Sequence, residues 1–215
     1  ARKIAGQSAV LLKNDDNILP IKEENIAVIG TFAKIPRYQG AGSSLINPTK
    51  LESAIDELNN RKIKYVYAEG YLSTTDQVDE SLIEEALTLA AEAKLVLLYV
   101  GLTDDYESEG FDRIHLEMPT NQLKLIEAVC EINKNVVIVL QNGAPIEMPW
   151  VNKVKAIVEC YLGGQAGGPA SIDVLYGDVN PGGRLAETFP INLDDDIVTK
   201  WFGMGPQSVE HRESI

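Results

Sequence analysis

The chain has 215 residues, 45% hydrophobic and 24% charged, with a formal net charge of −13. That is enough apolar material to bury a full core, on the order of 70% of the unfolded surface. So acidic a chain lacks the Lys/Arg excess that would neutralise nucleic-acid phosphates or dock on an anionic membrane, so neither is expected as a partner.

Ala1–Lys13 carries apolar residues at Ile4, Ala5, Ala9, Val10 and Leu12, which predicts a helix laid on a surface. Asn14–Asn17 is turn material, and Pro20 stops any helix. Asn25–Gly30 is a nearly continuous apolar run ending in Gly, the pattern of a strand buried on both faces. Similar runs follow at Ile63–Ala68, Leu95–Val100, Val136–Leu140 and Ala156–Cys160. Between them lie helical patterns at Leu51–Asn60, Asp79–Ala93, Asn121–Asn133 and Ala166–Tyr176. Strands alternating with helices imply right-handed crossovers. The expected fold class is a doubly wound α/β sandwich, mostly parallel, with helices on both faces.

Ligands of such sheets bind beyond the carboxyl ends of the strands. Two of the loops there are long, Thr31–Pro48 and Leu102–Thr120, and long loops in compact domains tend to carry function. The first holds Gly40-Ala41-Gly42. It lacks the tight strand–turn–helix spacing and third Gly of a dinucleotide fingerprint, so no cofactor is expected. Its hydroxyls, Ser43 and Ser44, suit a polyol ligand because each can donate and accept. The plainer alternative is a solvent loop.

The second loop places six carboxylates between Asp104 and Glu117, with Arg113 and His115. A charge run is usually a solvated face. This one leaves the most apolar strand, expected to be central. Arg113 could pair with Asp112 or Glu107 and leave Glu109 to titrate, its pKa raised by neighbouring charge as a general acid requires. The acidic spacing does not fit a calcium loop. His115 alone is expected to be structural. Without a G-x-S-x-G elbow a serine hydrolase has no support.

Cys130 and Cys160 lie in apolar patterns and read as small core hydrophobes, without a disulfide framework or a zinc site. Two unpaired, buried thiols lean toward a reducing, cytoplasmic compartment. Gly163–Gly168 reads as a helix entry that packs closely on the sheet or cradles an anion, and Asp178–Pro190 as a turn-rich closing segment. The sequence begins inside an amphipathic pattern and stops without a closing element, as expected of a piece of a longer protein.

Taken together, Ser8–Pro20, Ile26–Gly30, Tyr38–Ser44, Glu107–Arg113 (ESEGFDR), Gly143–Trp150, Gly164–Gly168 and Gly177–Pro190 resemble the second, α/β-sandwich domain of glycoside hydrolase family 3, in its β-glucosidase branch. They occur in family order over nearly the whole chain. The resemblance implies one α/β domain over residues 1–200 and, at 201–215, a truncated linker toward a further, fibronectin-like domain. It implies retaining hydrolysis of terminal β-D-glucosyl residues in a β-glucoside or oligosaccharide. The nucleophilic Asp would come from a TIM-barrel domain of the same protein. Glu109 would be the acid/base, with Glu107 the alternative, and Ser43 with Ser44 would touch the sugar. No cofactor and no metal are implied, and the chain alone would be inactive because it lacks the nucleophile motif. A β-xylosidase or N-acetylglucosaminidase specificity, a sugar-binding module, a purely structural domain and assembly into a homo-oligomer remain open alternatives.

Overall fold

The computed structural model describes residues 1–195; the expected linker at 201–215 lies outside the described residues. The chain forms α1 (Arg2–Ser8), β1 (Val10–Asn14), β2 (Ile26–Ile29), α2 (Ala54–Asn60), β3 (Tyr65–Ala68), α3 (Glu80–Glu92), β4 (Leu95–Gly101), α4 (Thr120–Ile132), β5 (Val136–Gln141), β6 (Ala156–Glu159) and α5 (Gly167–Leu175). One six-stranded sheet runs in the order β1-β6-β5-β4-β2-β3. All neighbours are parallel except β1, which pairs antiparallel to β6. The expected doubly wound, mostly parallel α/β class is what the chain adopts.

The inner apolar runs became strands covered by helices on both faces, whereas the run expected to be equally buried at Ile63–Ala68 forms the edge strand β3, with Val66 exposed. Every residue of β4 and of β5 is buried. Burying one Val, Leu or Ile side chain contributes about 1.5–3 kcal/mol, so these two strands anchor the core. β4 lies between β5 and β2, as its composition suggested. Helix starts follow local chemistry. Ser53 and Asp56 form a capping box on α2, and Asp79 accepts from Ser81 N and Leu82 N at the start of α3.

The amino-terminal segment differs from the expectation. The helix ends at Ser8, and Val10–Asn14 becomes an edge strand, Val10 opposite Glu159 and Leu11 opposite Val158. Apolar residues at Ile4, Ala5, Ala9, Val10 and Leu12 fit helical spacing, but β6 offers an open row of backbone donors and acceptors. Pairing with that row outweighs local periodicity. Arg2 then ties α1 to its neighbours, reaching Glu57 of α2 and Asp173 of α5, each at 2.6 Å. Arg61 joins the same two carboxylates.

The Gly-rich entry to α5 is a packing device. A β-carbon on Gly168 would sit 2.4 Å from the carbonyl carbon of Ser53, so only Gly lets α5 approach the cap of α2 this closely.

Candidate active site

The chain winds from β2 outward to β3 and then returns to the other side of β2 to lay down β4. The strand order therefore reverses between β2 and β4. The two long loops leave from the carboxyl ends of those two strands. A crevice at such a reversal is where open α/β sheets bind ligands.

Both loops are organised by Arg37, which sequence reasoning did not single out. Its side chain is buried. Nη1 donates to the Leu102 carbonyl at 2.6 Å and Nη2 to the Glu107 carbonyl at 2.7 Å. The Asp104 and Glu107 carboxylates lie 3.5 Å from the guanidinium. The Arg37 backbone N–H donates to Gln141 Oε1 at 2.8 Å, at the end of β5. One side chain thus pins the acidic loop onto the β2 loop. Burial lowers its pKa, and the two carboxylates oppose that shift.

The two candidate glutamates stand in different surroundings. Glu107 is held inward: its Oε2 accepts from Gly143 N at 2.9 Å, on the loop after β5, and faces Arg37. Glu109 stands exposed at the rim. Its Oε2 accepts from the backbone N–H of Ser43, and its Cβ packs over Gly42, where φ is +85° and an added β-carbon would lie 2.5 Å away. Bonding to Ser43, through its hydroxyl and its N–H, lowers the Glu109 pKa. Of the expected sugar-contacting serines, Ser43 is therefore joined to Glu109, whereas Ser44 Oγ turns back to the Gly40 carbonyl at 3.3 Å.

Two local expectations are corrected. Arg113 makes no ion pair with Asp112 or Glu107; it donates to the carbonyls of His115 at 2.6 Å and Pro145 at 2.8 Å. Its guanidinium folds into the base of the loop, where unpaired carbonyls need donors. The Glu109 pKa is lowered rather than raised by crowding, because the loop fans its carboxylates apart onto Arg37, Gly143 and Ser43. His115 has its ring edge-on to Tyr106, a packing role. Cys130 is buried and Cys160 half-buried, both as free thiols. Burial pushes the Cys130 thiol up to about 11 and the Cys160 thiol further.

In this doubly wound sheet the two long loops meet at the order reversal, one presenting a rim carboxylate and the other hydroxyls. Comparison with known proteins identifies the family. Residues 9–210 match the Glycosyl hydrolase family 3 C-terminal domain, and the chain belongs to that family. It is 50% identical to thermostable beta-glucosidase B of Acetivibrio thermocellus, across 100% of this chain and 29% of that protein. It is 46% identical to an exo-alpha-(1->6)-L-arabinopyranosidase of Bifidobacterium breve, across 94% of this chain and 28% of the relative. Among solved structures, the GH3 beta-glucosidase of Bifidobacterium adolescentis superposes with a TM-score of 0.90 at 46% identity, over 94% of this chain and 30% of that one. The chain thus spans about three tenths of the length of these relatives.

Proposed function

We propose that this chain is the acid/base-bearing domain of a retaining glycosidase acting on terminal β-D-glucosyl residues. The observation that carries the reading is the junction of Glu109 with Ser43 across the two loops at the sheet's order reversal. It sets an exposed carboxylate beside hydroxyls beyond the carboxyl end of the sheet. Glu107 is drawn inward onto Gly143 N and Arg37, whereas Glu109, bonded to Ser43, stands exposed at the rim where a substrate can reach it. In retaining hydrolysis one carboxylate attacks the anomeric carbon while a carboxylic acid about 5–5.5 Å away protonates the leaving oxygen, then activates water. The attacking Asp belongs to a TIM-barrel domain in the part of the relatives' length that this chain does not span. Apposition of that domain would exclude water and bring a second carboxylate near Glu109. Both effects raise a carboxyl pKa toward the neutral range that a general acid needs. Without the barrel the chain has no nucleophile, and it is expected to be inactive alone.

The test uses the full-length protein with Glu109→Ala and Glu107→Ala. Glu109→Ala should abolish cleavage of unactivated disaccharides, by about 10²–10⁴-fold. It should spare aryl glucosides with good leaving groups and respond to azide. Full activity of Glu109→Ala on disaccharides would transfer the role to Glu107 or refute the assignment. The similarity to an arabinopyranosidase supports a second substrate reading. Comparing aryl β-D-glucoside with aryl α-L-arabinopyranoside as substrates decides between them.

A further inference from the structure

One buried ionisable group lies outside this chemistry. Glu159 ends β6, an interior strand, and is 0% exposed. Among the described residues, no Lys, Arg or His nitrogen lies within 4.0 Å of it. Its carboxyl is met instead by two neutral donors, Tyr161 N at 2.7 Å on Oε1 and Asn142 Nδ2 at 2.9 Å on Oε2. Burying a carboxyl is costly, and an aliphatic residue would suit the strand better. The hydrogen bonds show what the carboxyl holds in place.

Asn142 Nδ2 also donates to the Ala144 carbonyl at 3.0 Å, closing a turn around Gly143. The N–H at the apex of that turn is the one that anchors Glu107 Oε2. Gly143 and Glu107 are in such close approach that a β-carbon on Gly143 would fall 2.7 Å from Glu107 Oε1. On its other side, Glu159 holds Tyr161 in a left-handed conformation, φ +52°.

We propose that Glu159 is a positioning residue for the acidic loop. Through Asn142 it sets the turn whose Gly143 N–H anchors Glu107, and so fixes where Glu109, two residues further on, stands. Its catalytic consequence rests on the assignment of Glu109 as acid/base; its effect on the loop does not.

The experiment measures hydrogen exchange and kinetics of the full-length protein carrying Glu159→Gln or Glu159→Leu. Glu159→Leu removes both acceptors. It should speed exchange about tenfold or more in Gln141–Pro145 and also in Thr103–Arg113, leaving α3 and α4 at wild-type rates. Glu159→Gln keeps one acceptor and should fall between, and it supplies the same comparison should the Leu variant not fold. Loss of loop placement should lower kcat on an unactivated disaccharide about 10–100-fold more than on an aryl glucoside with a good leaving group. A merely structural role would lower both alike and speed exchange without coupling the two loops. Faster exchange confined to Gln141–Leu162, or spread over the whole domain, overturns the proposal. If exchange couples the two loops but both substrates fall equally, the positioning role stands and the acid/base role of Glu109 fails.

Discussion

Replacing Glu159 by Gln gives a stability prediction that needs no assumption about catalysis. Desolvation, with a smaller contribution from the Glu107 charge, raises the Glu159 pKa from 4.5 to about 8; the bonds from Tyr161 N and Asn142 work against the rise. The folded chain therefore keeps this proton through neutral pH, whereas the unfolded chain releases it near 4.5. An acid with a raised folded pKa contributes its stability in full below the unfolded pKa and loses it as pH climbs toward the folded one. Here the window runs from pH 4.5 to about 8. A rise of that size corresponds to about 5 kcal/mol across the window, comparable to the whole stability of a small domain. Urea unfolding between pH 5 and 9, followed by fluorescence of the buried Trp150, reads it out. Gln cannot ionise, so the variant should lose this slope. It should be less stable than wild type at pH 5, having lost one hydrogen bond worth about 1 kcal/mol, and more stable at pH 9, where the wild type must bury a charge. The two stability curves should cross. Parallel curves would mean that Glu159 is ionised in the folded state, and the reasoning would fail.

Arg37→Met should destabilise the domain by about 2–4 kcal/mol, since it leaves the Leu102 and Glu107 carbonyls without their donor and the Glu107 carboxylate without its counter-charge; urea midpoints measure the loss, and limited proteolysis should cut first within Asp104–Arg113. Gly42→Ala, at a positive φ and against Glu109, should cost about 1–2 kcal/mol in thermal melts. In the full-length protein it should depress disaccharide cleavage more than aryl glucoside cleavage; equal loss on both would separate the Gly42 contact from the placement of Glu109.

Much of the architecture could be read from local pattern. Runs such as Leu95–Val100 and Val136–Leu140 are too apolar to face water on either side, and the helical patterns between them carry caps at Ser53 and Asp79. The exception, Val10–Asn14, has an ambiguous period, and what decides it is a partner strand at the far end of the chain. The acidic loop was visible through charge density, and family resemblance narrowed it to two glutamates. Arg37 was not, because a single Arg in a Gly/Ser-rich loop is unremarkable until its contacts with Leu102 and Glu107 are known. Glu159 was also invisible as a functional group. One Glu closing an apolar run looks like the point where a strand meets solvent, and only the antiparallel pairing with Val10 and the cover of the Asn142 turn bury it. Long-range contacts determine both residues' roles, and spacing along the chain does not encode them.

The antiparallel strand Val10–Asn14 also bears on how the domain is completed. Nearly the whole sheet can assemble from crossovers between neighbours in sequence, but the slot beside β6 is filled by residues made long before β6 itself. Until that strand folds back, the unpaired backbone donors and acceptors of Ala156–Glu159 are an open edge able to recruit a strand from another molecule. The first residues of the domain thus act as its seal against self-association. They are the last to be needed in building the sheet and the first whose loss would expose it.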